Sequence, residues 1–75
     1  MFRFYIVLPD GTRKLSPKVY STEPAAFKAA IPVAQSLINQ GYKRGSWVNL
    51  EITEGGRNND GGGRYKLEDI ATGCF

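Results

Sequence analysis

Between Thr22 and Gly41 the chain carries its one stretch of helical periodicity, and that stretch limits what the segments on either side of it can be. Phe27, Ala30, Ile31, Ala34, Leu37 and Ile38 recur at three- and four-residue steps and form a single apolar stripe, with Lys28, Gln35, Ser36 and Asn39 elsewhere on the surface. One amphipathic helix cannot bury its stripe against itself, so the flanking segments must supply the opposing layer. Ser21-Thr22-Glu23-Pro24 is a start signal: a hydroxyl cap, an acid in the first turn for the helix dipole, and a proline where its missing N–H does no harm. The helix is predicted to run to about Gln40, where Gly41 can adopt the left-handed closing conformation and Tyr42 can add the apolar contact that often follows. Pro32 interrupts the pattern on the side opposite the stripe, where a kink bends the helix around its sheet, so one helix is expected and not two.

Both flanks read as strands. Phe2 to Leu8 alternates, with Phe2, Phe4, Ile6 and Leu8 on one face and Arg3, Tyr5 and Val7 on the other. Pro9-Asp10-Gly11-Thr12 reverses the chain into a second strand from Arg13 to Tyr20. Pro17 cannot donate a ladder hydrogen bond, which places that strand at a sheet edge or gives it a bulge near its end. Lys14 and Lys18 beside it would discourage edge-to-edge pairing, and they suit a binding role equally well. After a turn at Lys43-Arg44-Gly45-Ser46, Trp47 to Glu54 alternates again, with Val48, Leu50 and Ile52 on one face. Gly55 to Gly63 has five glycines in nine residues and is expected to be a mobile hairpin loop. Arg64 to Ile70 is a fourth strand that does not alternate cleanly and should bulge or end early. The expected fold is α+β, a single domain over residues 1–75: two hairpins in the order β-β-α-β-β form a four-stranded antiparallel sheet with one helix packed on one face.

Chemistry is scarce. A chain of 75 residues buries only about 60% of the surface its unfolded form exposes, so a deep catalytic cavity would compete with the core. There is no histidine, the commonest general base and zinc nitrogen ligand. Cys74 is the one cysteine; it has no intrachain partner, fits a reducing, cytoplasmic compartment, and lacks an activator near a terminus expected to be loose. The glycine-rich segment lacks the phosphate-loop pattern, and Asn58, Asn59 and Asp60 lack the alternate spacing of a calcium loop. Glu51 and Glu68 could face each other across strands three and four, but pairing with Lys66 or Arg64 is preferred to a catalytic role. No run of 18 apolar residues occurs and the N-terminal segment stops short of a signal peptide. The expectation is a non-enzymatic monomer without cofactor, metal, small-molecule substrate or membrane partner.

What remains is a surface. If Phe4, Ile6, Val48, Leu50 and Ile52 meet the helix, the other sheet face should carry Arg3, Tyr5, Lys14, Lys18, Tyr20, Trp47, Asn49, Glu51 and Thr53. A second cluster comprises Lys43 and Arg44 before strand three with Arg57 and Arg64 in or beside the glycine loop. Aromatics interleaved with cations suit stacked bases and phosphates, and suit a protein interface equally. The net charge of +3 favours an anionic partner without requiring one.

Two hairpins flanking one capped helix (Phe2 to Tyr20, Thr22 to Gln40, Trp47 to Ile70), on a chain of this size without catalytic groups, resemble in layout the small phage-encoded anti-CRISPR proteins. The resemblance implies an inhibitor that occupies a CRISPR effector complex in the host cytoplasm and keeps target DNA from pairing with the guide. It would need a hot spot, for which Tyr5, Trp47, Arg57 and Arg64 are the candidates. The residues by themselves also admit a small basic nucleic-acid-binding module that uses the same sheet face.

Overall fold

The computed structural model describes the backbone of residues 1–54 and 57–75 and the side chains of residues 1–54 and 62–75. The elements are β1 (Phe2–Val7), β2 (Arg13–Leu15), α1 (Glu23–Asn39), β3 (Trp47–Glu54), β4 (Arg57–Lys66) and α2 (Leu67–Ala71). The fold is α+β, with one antiparallel sheet in the order β2-β1-β3-β4. The two alternating segments, β1 and β3, are therefore central neighbours, and both hairpins grow outward from them.

The first hairpin closes through three residues. Gly11 N–H donates to the Leu8 carbonyl at 2.9 Å, Leu8 N–H donates to the Thr12 carbonyl at 2.8 Å, and Gly11 takes φ 88°. This is a tight turn followed by a left-handed glycine, one residue longer than a two-residue hairpin. Asp10 accepts Thr12 N–H at 2.9 Å, and that hydrogen bond holds its carboxyl below the ordinary carboxylate range.

Helix α1 begins and ends as its sequence implies. Thr22 Oγ1 accepts Ala25 N–H at 3.2 Å. At the other end Gly41 N–H donates to Ile38 and Tyr42 N–H to Leu37, with Gly41 at φ 111°, which is the Schellman arrangement. Pro32 lies exposed on a continuous helix. The stripe is centred on Ala26, Ala30, Ala34 and Leu37, with Phe27 and Ile38 partly buried beside it. The three alanines are 0% exposed, so the helix backbone comes close to Phe4, Ile6, Leu50 and Ile52, the large side chains beneath it.

Three expected boundaries are corrected. Strand two does not run from Arg13 to Tyr20: β2 stops at Leu15, because Pro17 has no N–H to continue the ladder and Ser16 turns the chain by donating from Oγ to the Lys18 carbonyl at 2.7 Å. The chain returns to the sheet at Tyr20, which exchanges two backbone hydrogen bonds with Phe2. The glycine-rich segment is not a loop from 55 to 63. Gly61, Gly62 and Gly63 pair with Ile52, Glu51 and Leu50 inside β4, and only Gly55 and Gly56 of that expectation lie outside the described backbone. Residues 67–70 are not strand either. Leu67, Ile70 and Ala71 are buried at helical spacing in α2, which gives the fold a second helix. The register shift on β3 falls between Ile52 and Glu54.

The second helix also changes two readings made from chemistry. Glu68 sits on α2 while Glu51 pairs with Tyr5 and Gly62, so these acids do not face each other across a ladder. The segment after α2 is docked: Gly73 N–H and Cys74 N–H donate to Ile70 and Asp69, and the Phe75 ring lies 5.4 Å from Phe27 and 5.8 Å from Tyr65 between centroids. Cys74 is exposed on that closing turn.

Gly62 shows why a strand can hold so many glycines. It takes φ 115°, and a Cβ there would collide with the Leu50 carbonyl and lie 3.1 Å from the Glu51 Cα. Gly41 has a similar φ but open space around it. Gly62→Ala should therefore lower stability in urea unfolding by at least about 2 kcal/mol, against about 1 kcal/mol for Gly41→Ala, because only the first adds a backbone clash to left-handed strain.

Candidate functional site

The helices cover one face of the sheet, and the strand registers define the other. Directly opposed residues share a face, so the uncovered side can be read in rows. Arg13, Val7, Asn49 and Arg64 form one row across all four strands. Leu15, Tyr5, Glu51 and Gly62 form the next, and Arg3 opposes Thr53 beyond it. Trp47 and Lys66 close the opposite end.

Cations lie on the aromatic rings of this face. Arg13 Cζ is 4.7 Å from the Tyr5 ring centre, and Trp47 has both Arg64 Cζ at 5.4 Å and Lys66 Nζ at 5.6 Å. Trp47 is 48% exposed and Leu15 51%. Among the described residues of these rows, Arg3, Arg13, Arg64 and Lys66 stand against the single carboxylate of Glu51. The described charges on the face are predominantly positive, and cations among them lie over the half-exposed Trp47 ring and the partly exposed Tyr5 ring.

Of the residues expected on this face, Arg3, Tyr5, Trp47, Asn49 and Glu51 are there. Thr53 occupies its place in the row but is 4% exposed, at the register shift, and offers nothing to a partner. Lys14, Lys18 and Tyr20 are not on it. Lys14 opposes Ile6 and so points to the helix side; Lys18 follows the turn at Ser16, and Tyr20 opposes Phe2. These three line an open groove of about 580 Å³ between the β2 edge and α1, with Pro17, Ala29 and Val33 among its other walls.

The second cluster divides. Arg64 belongs to the open face beside Trp47, while Arg44 lines a crease with Gln35 and Ile38 between the two helices, its carbonyl accepting Glu68 N–H at 2.9 Å. Lys43 is exposed in the turn before β3, and the Arg57 side chain lies outside the described residues. Arg13 and Lys66 complete the face without having been singled out from sequence. The extra turn residue at Gly11 is what aligns Arg13 with Val7. Lys66 could be placed only by knowing that β4 is long.

Compared with known proteins, the chain matches no family model, no curated protein and no solved structure. Its reading therefore rests on its own geometry. Among the described residues no group of three or more His, Cys, Asp or Glu is placed to hold a metal ion, and no helix is long and apolar enough to cross a membrane.

Beside Trp47 the face dips into a hollow of about 440 Å³, with Val7, Pro9, Asn49 and Arg64 among its walls. If this surface is free of structural duty, its side chains should be dispensable for folding. Trp47→Ala and Arg13→Ala are expected to change unfolding stability by less than about 1 kcal/mol. Phe4→Ala, on the covered face, should cost about 3–5 kcal/mol. Urea titration of the three variants measures the contrast.

Proposed function

We propose that this is a non-enzymatic binding protein that works by laying its open sheet face, centred on Tyr5 and Trp47, on an anionic macromolecular surface. The observation that supports it is the combination on one face of the half-exposed Trp47 ring and the partly exposed Tyr5 ring with Arg3, Arg13, Arg64 and Lys66, against the one carboxylate, Glu51, among the described residues of these rows. Trp, Tyr and Arg are the residues that most often dominate binding energy at interfaces.

The layout resemblance to anti-CRISPR proteins makes a CRISPR effector complex the proposed partner, and inhibition of target DNA binding the proposed activity. The sign of the charge narrows how that would work. Effector proteins line their nucleic-acid channel with positive charge, and a basic face would be repelled from such a wall. The face instead suits an acidic protein surface of the complex or its exposed nucleic acid.

A second reading, a free-standing nucleic-acid-binding module, is favoured by the excess of cations over the rings. An exposed cation–ring contact is worth only about 0.5–1 kcal/mol, while stacking a base on an aromatic ring is worth about 1–3 kcal/mol. Displacing Arg64 or Lys66 onto a phosphate to admit a base is thus energetically open.

Co-elution of the purified protein with effector complexes, together with a phage interference assay, tests the first reading. Arg13→Glu combined with Arg64→Glu should abolish co-elution and inhibition, whereas Lys14→Glu with Lys18→Glu, in the groove behind the face, should leave both in place. Failure of the unaltered protein to bind any effector complex or to protect phage defeats the inhibitor reading. Binding to random DNA or RNA that falls steeply with salt would then support the module.

A further inference from the structure

We propose that the hollow beside Trp47 seats one base of a single-stranded nucleic acid, with Arg13, Arg64 and Lys66 holding phosphates around it. The inference rests on the open-face reading above and gives that face a ligand class and a specific contact.

The hollow's volume of about 440 Å³ lies within the range of about 300–1,000 Å³ typical of small-ligand sites. Each of its walls supplies a different group. Val7 and Pro9 are apolar, Trp47 brings an indole, Asn49 a carboxamide and Arg64 a guanidinium, and among the described residues no carboxylate lines it. A nucleotide presents the complement of that set: a flat π face, an edge of donors and acceptors, and an anion. The Asn49 carboxamide carries both an acceptor and donors, so it can pair bidentately with the donor-beside-acceptor edge that any unpaired base offers.

Arg64 and Lys66 lie over the Trp47 ring in the free protein and move off it onto phosphates when a base enters, while Arg13 stands apart on Tyr5. Arg13 and Arg64 share the row of Asn49 on the two edge strands, about 14 Å apart at three strand spacings. Lys66 stands directly opposite Trp47 on β4, in the neighbouring row. A duplex keeps its bases stacked between neighbours and could offer this face only phosphates, whereas an unpaired strand can turn a base onto the indole. An acidic protein surface would satisfy the cations and leave the hollow and Asn49 without a role. That asymmetry favours single-stranded nucleic acid over an acidic polypeptide.

Trp47 is the only tryptophan in the chain, so its fluorescence reports on its own seat. The full chain is titrated at low salt with ten-nucleotide oligoadenylate and oligothymidylate, the first in both ribose and deoxyribose forms, and with heparin and polyglutamate as polyanions without bases. The oligonucleotides should quench Trp47 and bind at least about tenfold more tightly than either base-free polymer. By anisotropy with labelled oligonucleotide, Trp47→Ala should weaken binding about 5- to 100-fold, and Trp47→Phe should largely restore it. Asn49→Ala should weaken binding of both oligonucleotides about 2- to 10-fold without altering the salt dependence that the cations set. The ratio of ribose to deoxyribose affinity identifies the sugar.

Equal binding of heparin or polyglutamate, or oligonucleotide binding that neither quenches Trp47 nor responds to Trp47→Ala, would overturn the base seat. In that case the Arg13→Glu, Arg64→Glu variant judges the face separately: loss of polyanion binding keeps the open-face reading, and unchanged binding removes it as well. No binding to any of the polymers overturns the proposal outright. Circular dichroism of each variant confirms that the fold is intact.

Discussion

Three alanines on one side of α1 set the terms for the rest of the molecule. Ala26, Ala30 and Ala34 are fully buried, and their small side chains let the helix backbone approach the sheet until Phe4, Ile6, Leu50 and Ile52 fill the space between. Burial of each of these large residues contributes about 1.5–3 kcal/mol, so a chain this small has little to spare for a second layer. Helix α2 adds Leu67 and Ile70 to the same core from the same side. With both helices committed to one face, no other described element covers the opposite face.

That asymmetry links the architecture to the proposed activity. On a half-covered sheet, alternation sends every second residue of β1 and β3 to solvent, and those positions hold Arg3, Tyr5, Val7, Trp47, Asn49 and Glu51. The edge strands bring the charge, Arg13 from β2 and Arg64 and Lys66 from β4. One edge is itself protected from unwanted pairing. β2 is three residues long and followed by Pro17, which limits further pairing at that edge.

Much of this was readable from the residues alone, for identifiable reasons. Capping chemistry is local, so Thr22, Gly41 and Tyr42 marked both ends of α1, and strict alternation marked β1 and β3. The composition of the face was harder, because it depends on register. Lys14 was expected on the open side and is on the helix side, while Arg13 takes its place. A single extra turn residue, the left-handed Gly11, exchanges the two. The C-terminal third was misread where composition outweighed pattern. Glycines between 61 and 63 suggested a loop although the β3 backbone pairs with each of them, and Leu67, Ile70 and Ala71 carry helical spacing too short to stand out beside an expected strand. The missing α2 in turn displaced Glu68 and Arg44, whose positions follow from it.

The central claim is that the protein acts through the face its helices leave bare. Backbone and side-chain chemical shifts, followed residue by residue as the bound partner is added, test this most directly. The account predicts perturbations confined to Arg3, Tyr5, Val7, Arg13, Trp47, Asn49, Arg64 and Lys66, with the indole N–H of Trp47 among the largest. Perturbations gathered instead on α1 and the groove at Lys14, Pro17 and Lys18, with the Trp47 indole unmoved, would contradict it.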